Sequence, residues 1–232
     1  MFKLTPLGDW AIQVQFGENI DNAVFDQVQK FLAKILYTQD KRVLDVVLDV
    51  VPAYTSVTVF YQPGLRYTEM AEWAHQLYTE EPLKSHGLTS KKIVEIPVCY
   101  GGNFGPDLDH VASYHRLSIG EVIYKHTAPL YMVYMMGFMP GFPYLGGLDP
   151  ELSTPRLSTP RALVPKGSVG IAGGQTGLYP FESPGGWQLI GRTPKKMFDV
   201  LTDPPTLLQS GDYVRFTAIN EQKFWELEEN GL

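Results

Sequence analysis

Twelve of the 18 prolines lie after Lys125, and twelve of the 22 glycines lie between Gly137 and Gly191. Proline removes a backbone donor and glycine weakens helices and strands alike, so this region cannot hold long helices. It can hold short strands joined by tight turns. The runs "YMVYMM", "SVGIA", "WQLIG" and "YVRFTAI", each bounded by Gly or Pro, read as strands of a compact β-barrel or sandwich. The extreme case is "GFMPGFPYLGGLDP", Gly137 to Pro150, apolar yet interrupted at almost every step. It reads as neither helix nor strand but as a preorganised apolar wall, because its prolines limit the backbone before folding. Phe138 is expected to point inward near a pocket, and the Phe142 to Leu145 end to pack against a partner or the barrel core.

The first part of the chain has ordinary punctuation. "AIQVQF" alternates as a strand should, and "NAVFDQVQKFLAKIL" sets Val24, Phe25, Val28, Phe31, Leu32 and Ile35 at helical spacing behind an Asp21 or Asn22 cap. "VLDVVLDVV" and "SVTVFY" read as strands and "TEMAEWAHQLY" as a second helix. The polar stretch "EEPLKSHGLTSKK" reads as a linker. The expected fold is therefore an α+β N-terminal domain over 1–87 and a mainly-β barrel domain over 88–232. The second domain opens with the strand "KIVEIPV" and two short helices, "GPDLDHVASYH" with Pro106 in the first turn and "SIGEVIYKH" behind a Ser118 to Glu121 capping box.

Several functions are disfavoured by composition. A net charge of −6 without a basic block argues against nucleic acid, and the paired short helices offer too few phosphate donors for a helix-turn-helix. No apolar run spans a bilayer and the N-terminus has no signal-peptide core, so no membrane and a cytoplasmic location are expected. The single Cys99 rules out an internal disulfide, and the histidine spacing indicates no metal. No Walker A loop, dinucleotide fingerprint or G-x-S-x-G elbow is present.

The candidate residues gather in the second domain. His126 sits on the apolar face at the end of its helix, where the macrodipole favours imidazolium; it reads either as a proton-transfer group or as a satisfied core histidine. The tandem "STPRLSTPR" places Arg156 and Arg161 on a Pro-stiffened stretch. Odd spacing sends them apart, and Arg161, which leads into the Gly-rich region, is the one expected at the site. Between Gly137 and Arg192 there are three acids and four bases, a balance that suits a small anionic or carboxylate ligand. Arg161 and Arg192 would supply fork donors, and Gln175 and Tyr179 would orient polar groups.

Together, "YGGNFGPDLDHVA", "GFMPGFPYLGGLDP", "PRLSTPRALVPKGSVGIAGGQTGLYP" and "SPGGWQLIGRTP" closely resemble a family that includes the B component of bacterial 5-oxoprolinase, the sporulation kinase inhibitor KipI and the proteins called allophanate hydrolase subunit 1. The resemblance extends to the carboxyltransferase region, C and D subdomains, of urea carboxylase. It implies a cyclophilin-like barrel, and ATP-dependent opening of 5-oxo-L-proline to L-glutamate by a 5-oxoprolinase complex with a related C-like protein and a separate A-like protein. On that reading Arg161 or Arg192 holds a carboxylate or phosphate, Gln175 and Tyr179 orient the amide, Phe138 lines the pocket and His126 moves a proton. It equally implies a rival: a binding protein that inhibits a sensor histidine kinase. Prolyl isomerisation would rest on the fold alone.

Overall fold

The computed structural model describes residues 2–38, 45–79 and 92–231. These fall into two compact units on either side of residues 80–91. The expected linker from Glu80 and the expected boundary at 87/88 lie outside the described residues.

The N-terminal unit is an antiparallel sheet of four strands, β1 (Lys3–Pro6), β2 (Ala11–Gln15), β3 (Val47–Pro52) and β4 (Ser56–Tyr61), in the order β1-β2-β4-β3. Helices α1 (Asn22–Leu36) and α2 (Tyr67–Thr79) pack on it. Asp21 caps α1 by accepting from the Val24 amide at 2.8 Å. Phe25, Val28, Phe31 and Ile35, one face at 3.6-residue spacing, are buried. Lys34 of α1 donates to the Leu77 and Tyr78 carbonyls, so a cation meets the negative end of α2.

The C-terminal unit is a closed barrel of seven strands. Its strands are β5 (Ile93–Tyr100), β6 (Tyr131–Met136), β7 (Pro143–Gly146), β9 (Ser168–Ala172), β10 (Gln175–Leu178), β12 (Gln188–Arg192) and β13 (Tyr213–Ile219). Around the barrel the order is β10-β7-β6-β13-β5-β12-β9, and only the β5–β13 pair is parallel. A separate ribbon pairs β8 (Arg161–Val164) with β11 (Ser183–Gly185). The fold class expected from the sequence, an α+β unit followed by a mainly-β barrel, is the one observed.

One expectation changes. The second half of "GFMPGFPYLGGLDP" is a barrel strand, β7, that pairs with β6 and β10. Pro143 is tolerated because it is the strand's first residue, and Phe142 and Leu145 are buried. Only the Gly137–Gly141 end remains irregular.

Helices α3 (Leu108–His115) and α4 (Ile119–Thr127) lie against the barrel, and a short 3-10 turn after β7 (Pro150–Leu152) packs on both; α5 (Glu221–Glu229) packs near β5. The Ser118–Glu121 capping box at the start of α4 is formed. Helix α3 begins at Leu108, two residues later than Pro106 suggested, because the preceding backbone is pressed onto β12. The Asp107 amide donates to the Leu189 carbonyl and the Gly101 amide to the Ile190 carbonyl. A Cβ on Gly105 would lie far inside van der Waals contact with the Ile190 carbonyl oxygen. Gly105→Ala therefore forces two backbone segments apart, at about 3 kcal/mol, and is expected to lower Tm by roughly 6–12 °C in a calorimetric scan.

Among the described residues no helix is long and apolar enough to cross a membrane. No group of three or more His, Cys, Asp and Glu side chains among them is arranged to hold a metal ion.

Candidate functional site

A cleft of about 290 Å³ opens beside the barrel, lined by Phe138, Phe142, Tyr144, Arg156, Leu157, Pro160, Tyr179 and the Pro184–Trp187 segment. Its floor is a cluster of packed aromatic rings. Phe142 is the hub: its ring meets Tyr179 edge-on with centroids at 5.2 Å, Trp187 at 5.5 Å and Phe138 at 5.5 Å, while Tyr144 lies 5.0 Å away. Such contacts fix ring planes that aliphatic side chains would leave loose.

Two turns bring these residues together. Leu157 donates its amide to the Gly186 carbonyl at 2.7 Å, and the Gln188 amide side chain donates to the Pro155 carbonyl. The Pro-stiffened stretch carrying Arg156 is thereby tied to the Gly-Gly-Trp turn. The Arg156 guanidinium lies 6.0 Å from the Trp187 ring centroid, a cation–π distance. Phe138 stands at the rim with φ of 67°, a left-handed conformation that costs a non-glycine residue of order 1–3 kcal/mol. The residue is 62% exposed, so Phe138, expected to point inward near a pocket, lines the cleft from a solvent-facing rim.

The cleft's electrostatics are simple. Its lining has one cation, Arg156, and no carboxylate. Tyr179 is buried and its hydroxyl is pushed up to about 12, chiefly by desolvation, against a backbone hydrogen bond from Trp187 and the charges of Arg156 and Arg161. At neutral pH it is a phenol that can donate a proton in a hydrogen bond, not a phenolate.

The other candidates lie elsewhere. Arg161 does not line the cleft: its Nη2 pairs with the Asp107 carboxylate at 2.6 Å and its Nη1 donates to the Trp187 carbonyl at 3.4 Å. The order of the two arginines is thus the reverse of the expected one. Arg192, at the end of β12, donates from Nε to the Lys166 carbonyl, stacks 5.5 Å from the Phe224 ring and pairs with Glu228, so it ties α5 to the barrel. Gln175 begins β10 at the β9–β10 hairpin and does not line the cleft.

His126 is fully buried inside the barrel. Thr176 donates its hydroxyl to the Gly170 carbonyl and so accepts from His126 Nε2–H at 3.0 Å, which leaves Nδ1 to accept from the Tyr100 hydroxyl at 2.8 Å. Burial pushes the imidazole down to about 3, overriding the helix-end effect that the sequence position suggested. It is a neutral, fully bonded group, separate from the cleft.

Sequence reasoning alone does not assign the three further aromatic residues of the cleft, Phe142, Tyr144 and Trp187. Trp187 carries a signal, since a large aromatic after Gly-Gly is a bulky group delivered by a tight turn. Tyr144 and Phe142 are hidden in the irregular run that is partly strand.

The profile of the carboxyltransferase domain, subdomain C and D, matches residues 2–208. The chain belongs to this family. It is 43% identical to the B component of 5-oxoprolinase from Bacillus subtilis over 98% of this chain and 97% of that one. Among solved structures, a conserved uncharacterized protein of Pyrococcus horikoshii is 43% identical, covering 96% of this chain and all of its own, with a TM-score of 0.57. The urea amidolyase of K. lactis matches 99% of this chain and 15% of its own, at 20% identity and a TM-score of 0.78. That last likeness speaks for the fold alone. In this carboxyltransferase-family chain the cleft's aromatic floor, Arg156 and Tyr179 all fall within the matched residues.

Proposed function

We propose that the chain is the B-type component of a 5-oxoprolinase complex, and that its cleft holds 5-oxo-L-proline while the complex opens the lactam to L-glutamate with ATP. The observation that carries this reading is the pairing of an aromatic-walled cleft with one arginine and no lining carboxylate. The substrate is a small ring with two apolar methylenes, one carboxylate and one amide. Arg156 suits the carboxylate as a two-point donor, and the Phe142, Tyr144 and Trp187 rings suit the ring's methylenes. Tyr179, held as a phenol, is the donor for the lactam oxygen, where negative charge grows as the amide is attacked or activated. The rings also exclude water, which strengthens both polar contacts.

The cleft does not fit a nucleotide triphosphate. A single arginine faces several negative charges, and the next cation, Arg161, is already paired with Asp107. On this reading ATP is used elsewhere in the complex, and the C-like and A-like partner proteins supply the nucleotide site and the hydrolytic groups. A five-membered lactam is a poor electrophile, so its oxygen needs activation before water attacks; the chain's part is to bind and orient it.

The test is to purify this chain with its C-like and A-like partners and follow glutamate formation from 5-oxoproline. ATP-dependent glutamate that disappears when this chain is left out is the expected result. No glutamate from an intact, assembled complex with ATP overturns the reading.

A further inference from the structure

We propose that Asp107 sets the charge specificity of the cleft: by neutralising Arg161 it leaves Arg156 as the single uncompensated cation, so the site admits a monoanionic ring acid and discriminates against dianions.

Asp107 precedes α3, where an aspartate would ordinarily cap the helix, yet its side chain makes no capping bond. Its carboxylate is turned instead toward the back of the cleft. Oδ1 accepts from Arg161 Nη2 at 2.6 Å and Oδ2 accepts from the Leu189 amide at 2.6 Å. Arg161 in turn donates to the Trp187 carbonyl. One buried carboxylate therefore grips β12 directly and, through an arginine, the backbone of the residue whose ring makes the cleft floor. The side chains are 12% exposed for Asp107 and 28% for Arg161, so the pair is little screened by water.

Charge bookkeeping gives this pair a consequence for the ligand. Arg161 is held directly behind the cleft floor through the Trp187 carbonyl, yet of the charges acting on Tyr179 its own is the weakest, below that of Arg156. Without Asp107 two cations would act on one site that has no lining carboxylate. With Asp107 the rear pair carries no net charge and acts only weakly in the cleft, and among the described residues no carboxylate pairs with Arg156. A site with one net positive charge matches one carboxylate. A dianion would carry its second charge, stripped of water, into apolar walls with no partner.

Asp107 acts through Arg161 and Trp187 and is a positioning residue. Each unit of charge uncovered behind the cleft changes the affinity of a ligand by about tenfold per ligand charge, taking a separation of roughly 10 Å and an effective dielectric near 20. The proposal deepens the 5-oxoprolinase reading and rests on it for the identity of the ligand, but the charge setting can be measured without any substrate.

The experiment uses the full chain with Trp10, Trp73 and Trp225 changed to Phe, leaving Trp187 as reporter, and compares quenching by iodide and by caesium. Asp107→Asn is expected to raise the iodide-to-caesium quenching ratio, Arg161→Gln to lower it, and the double variant to return it near the starting value. In the assembled complex the same four forms are assayed for the Michaelis constant of the lactam substrate and for inhibition by the dianion glutarate. Glutarate is expected to gain about tenfold on 5-oxoproline in Asp107→Asn and to lose about tenfold in Arg161→Gln. A purely structural role would move both single variants the same way. Equal quenching ratios in all four forms overturn the proposal. Ratios that follow the cycle while glutarate selectivity stays fixed support the charge setting and instead overturn the cleft as the 5-oxoproline site. Should Asp107→Asn lose its circular-dichroism signature of folding, Arg161→Gln alone decides, since an unopposed Asp107 must repel iodide.

Discussion

Arg156→Ala in the assembled complex is expected to lower kcat/KM for the lactam substrate by about 10- to 100-fold, because a hydrogen bond to a charged partner contributes about 1.5–3 kcal/mol. Most of the loss falls on KM, since a carboxylate remote from the lactam is gripped equally in the ground and transition states. Arg156→Lys keeps the charge but not the fork or the stack on Trp187, and is expected to recover only part of the loss. Steady-state glutamate formation at varied 5-oxoproline provides the measurement. An unchanged KM in an intact complex removes Arg156, and with it this cleft, from substrate binding. The same series on Arg192 separates a cleft arginine from a structural one: Arg192 is engaged with Lys166, Phe224 and Glu228.

The second large effect concerns pH and stability. His126 has a folded-state value near 3 and an ordinary unfolded value near 6.5. Between these values the unfolded chain binds a proton that the folded chain refuses, so stability rises with pH from about 3 to 6.5 and is level above that. From pH 6.5 down to pH 5 the loss from this one residue is about 2 kcal/mol. The slope is measured from denaturant midpoints across pH 4.5–7.5. His126→Gln is expected to be less stable at pH 7, since it cannot span Tyr100 and Thr176 as the ring does, and to show a flatter slope at low pH. An unchanged slope in that variant would show that another group carries the acid sensitivity.

His126 also shows how far the sequence can be read. The helix, its capping box and the apolar face that bears His126 are all legible, because they depend on neighbours within a turn or two. What surrounds the end of that face is set by β5, β9 and β10, residues distant in sequence. A helix-end position predicts a raised imidazole value, and complete burial reverses it. The arginines mislead for a related reason. Spacing within "STPRLSTPR" shows that Arg156 and Arg161 diverge, but not which one meets a carboxylate, because Asp107 lies on another element. Strands with alternating or β-branched runs are visible in the sequence, whereas β7, β10 and β11, short and interrupted by Gly or Pro, and the four-residue β8 draw their pairing from the closed barrel and the ribbon rather than from propensity. The family resemblance captures the fold and the matched motifs, and leaves the direction of each side chain to the structure.

Barrel closure sets a timetable for folding. Strand β5, the first of the barrel in sequence, pairs in parallel with β13, the last, over seven residues from Ile93–Tyr213 to Cys99–Ile219. During synthesis at about 5–20 residues per second, β5 waits on the order of ten seconds for that partner. Until then both β5 and β6 lack the neighbour that lies between them, and their backbone groups are open to pairing with another chain. The family match ends at residue 208, before β13 begins. A chain trimmed to that boundary would keep every residue of the cleft and lose the strand that turns an open, self-adhesive sheet into a barrel.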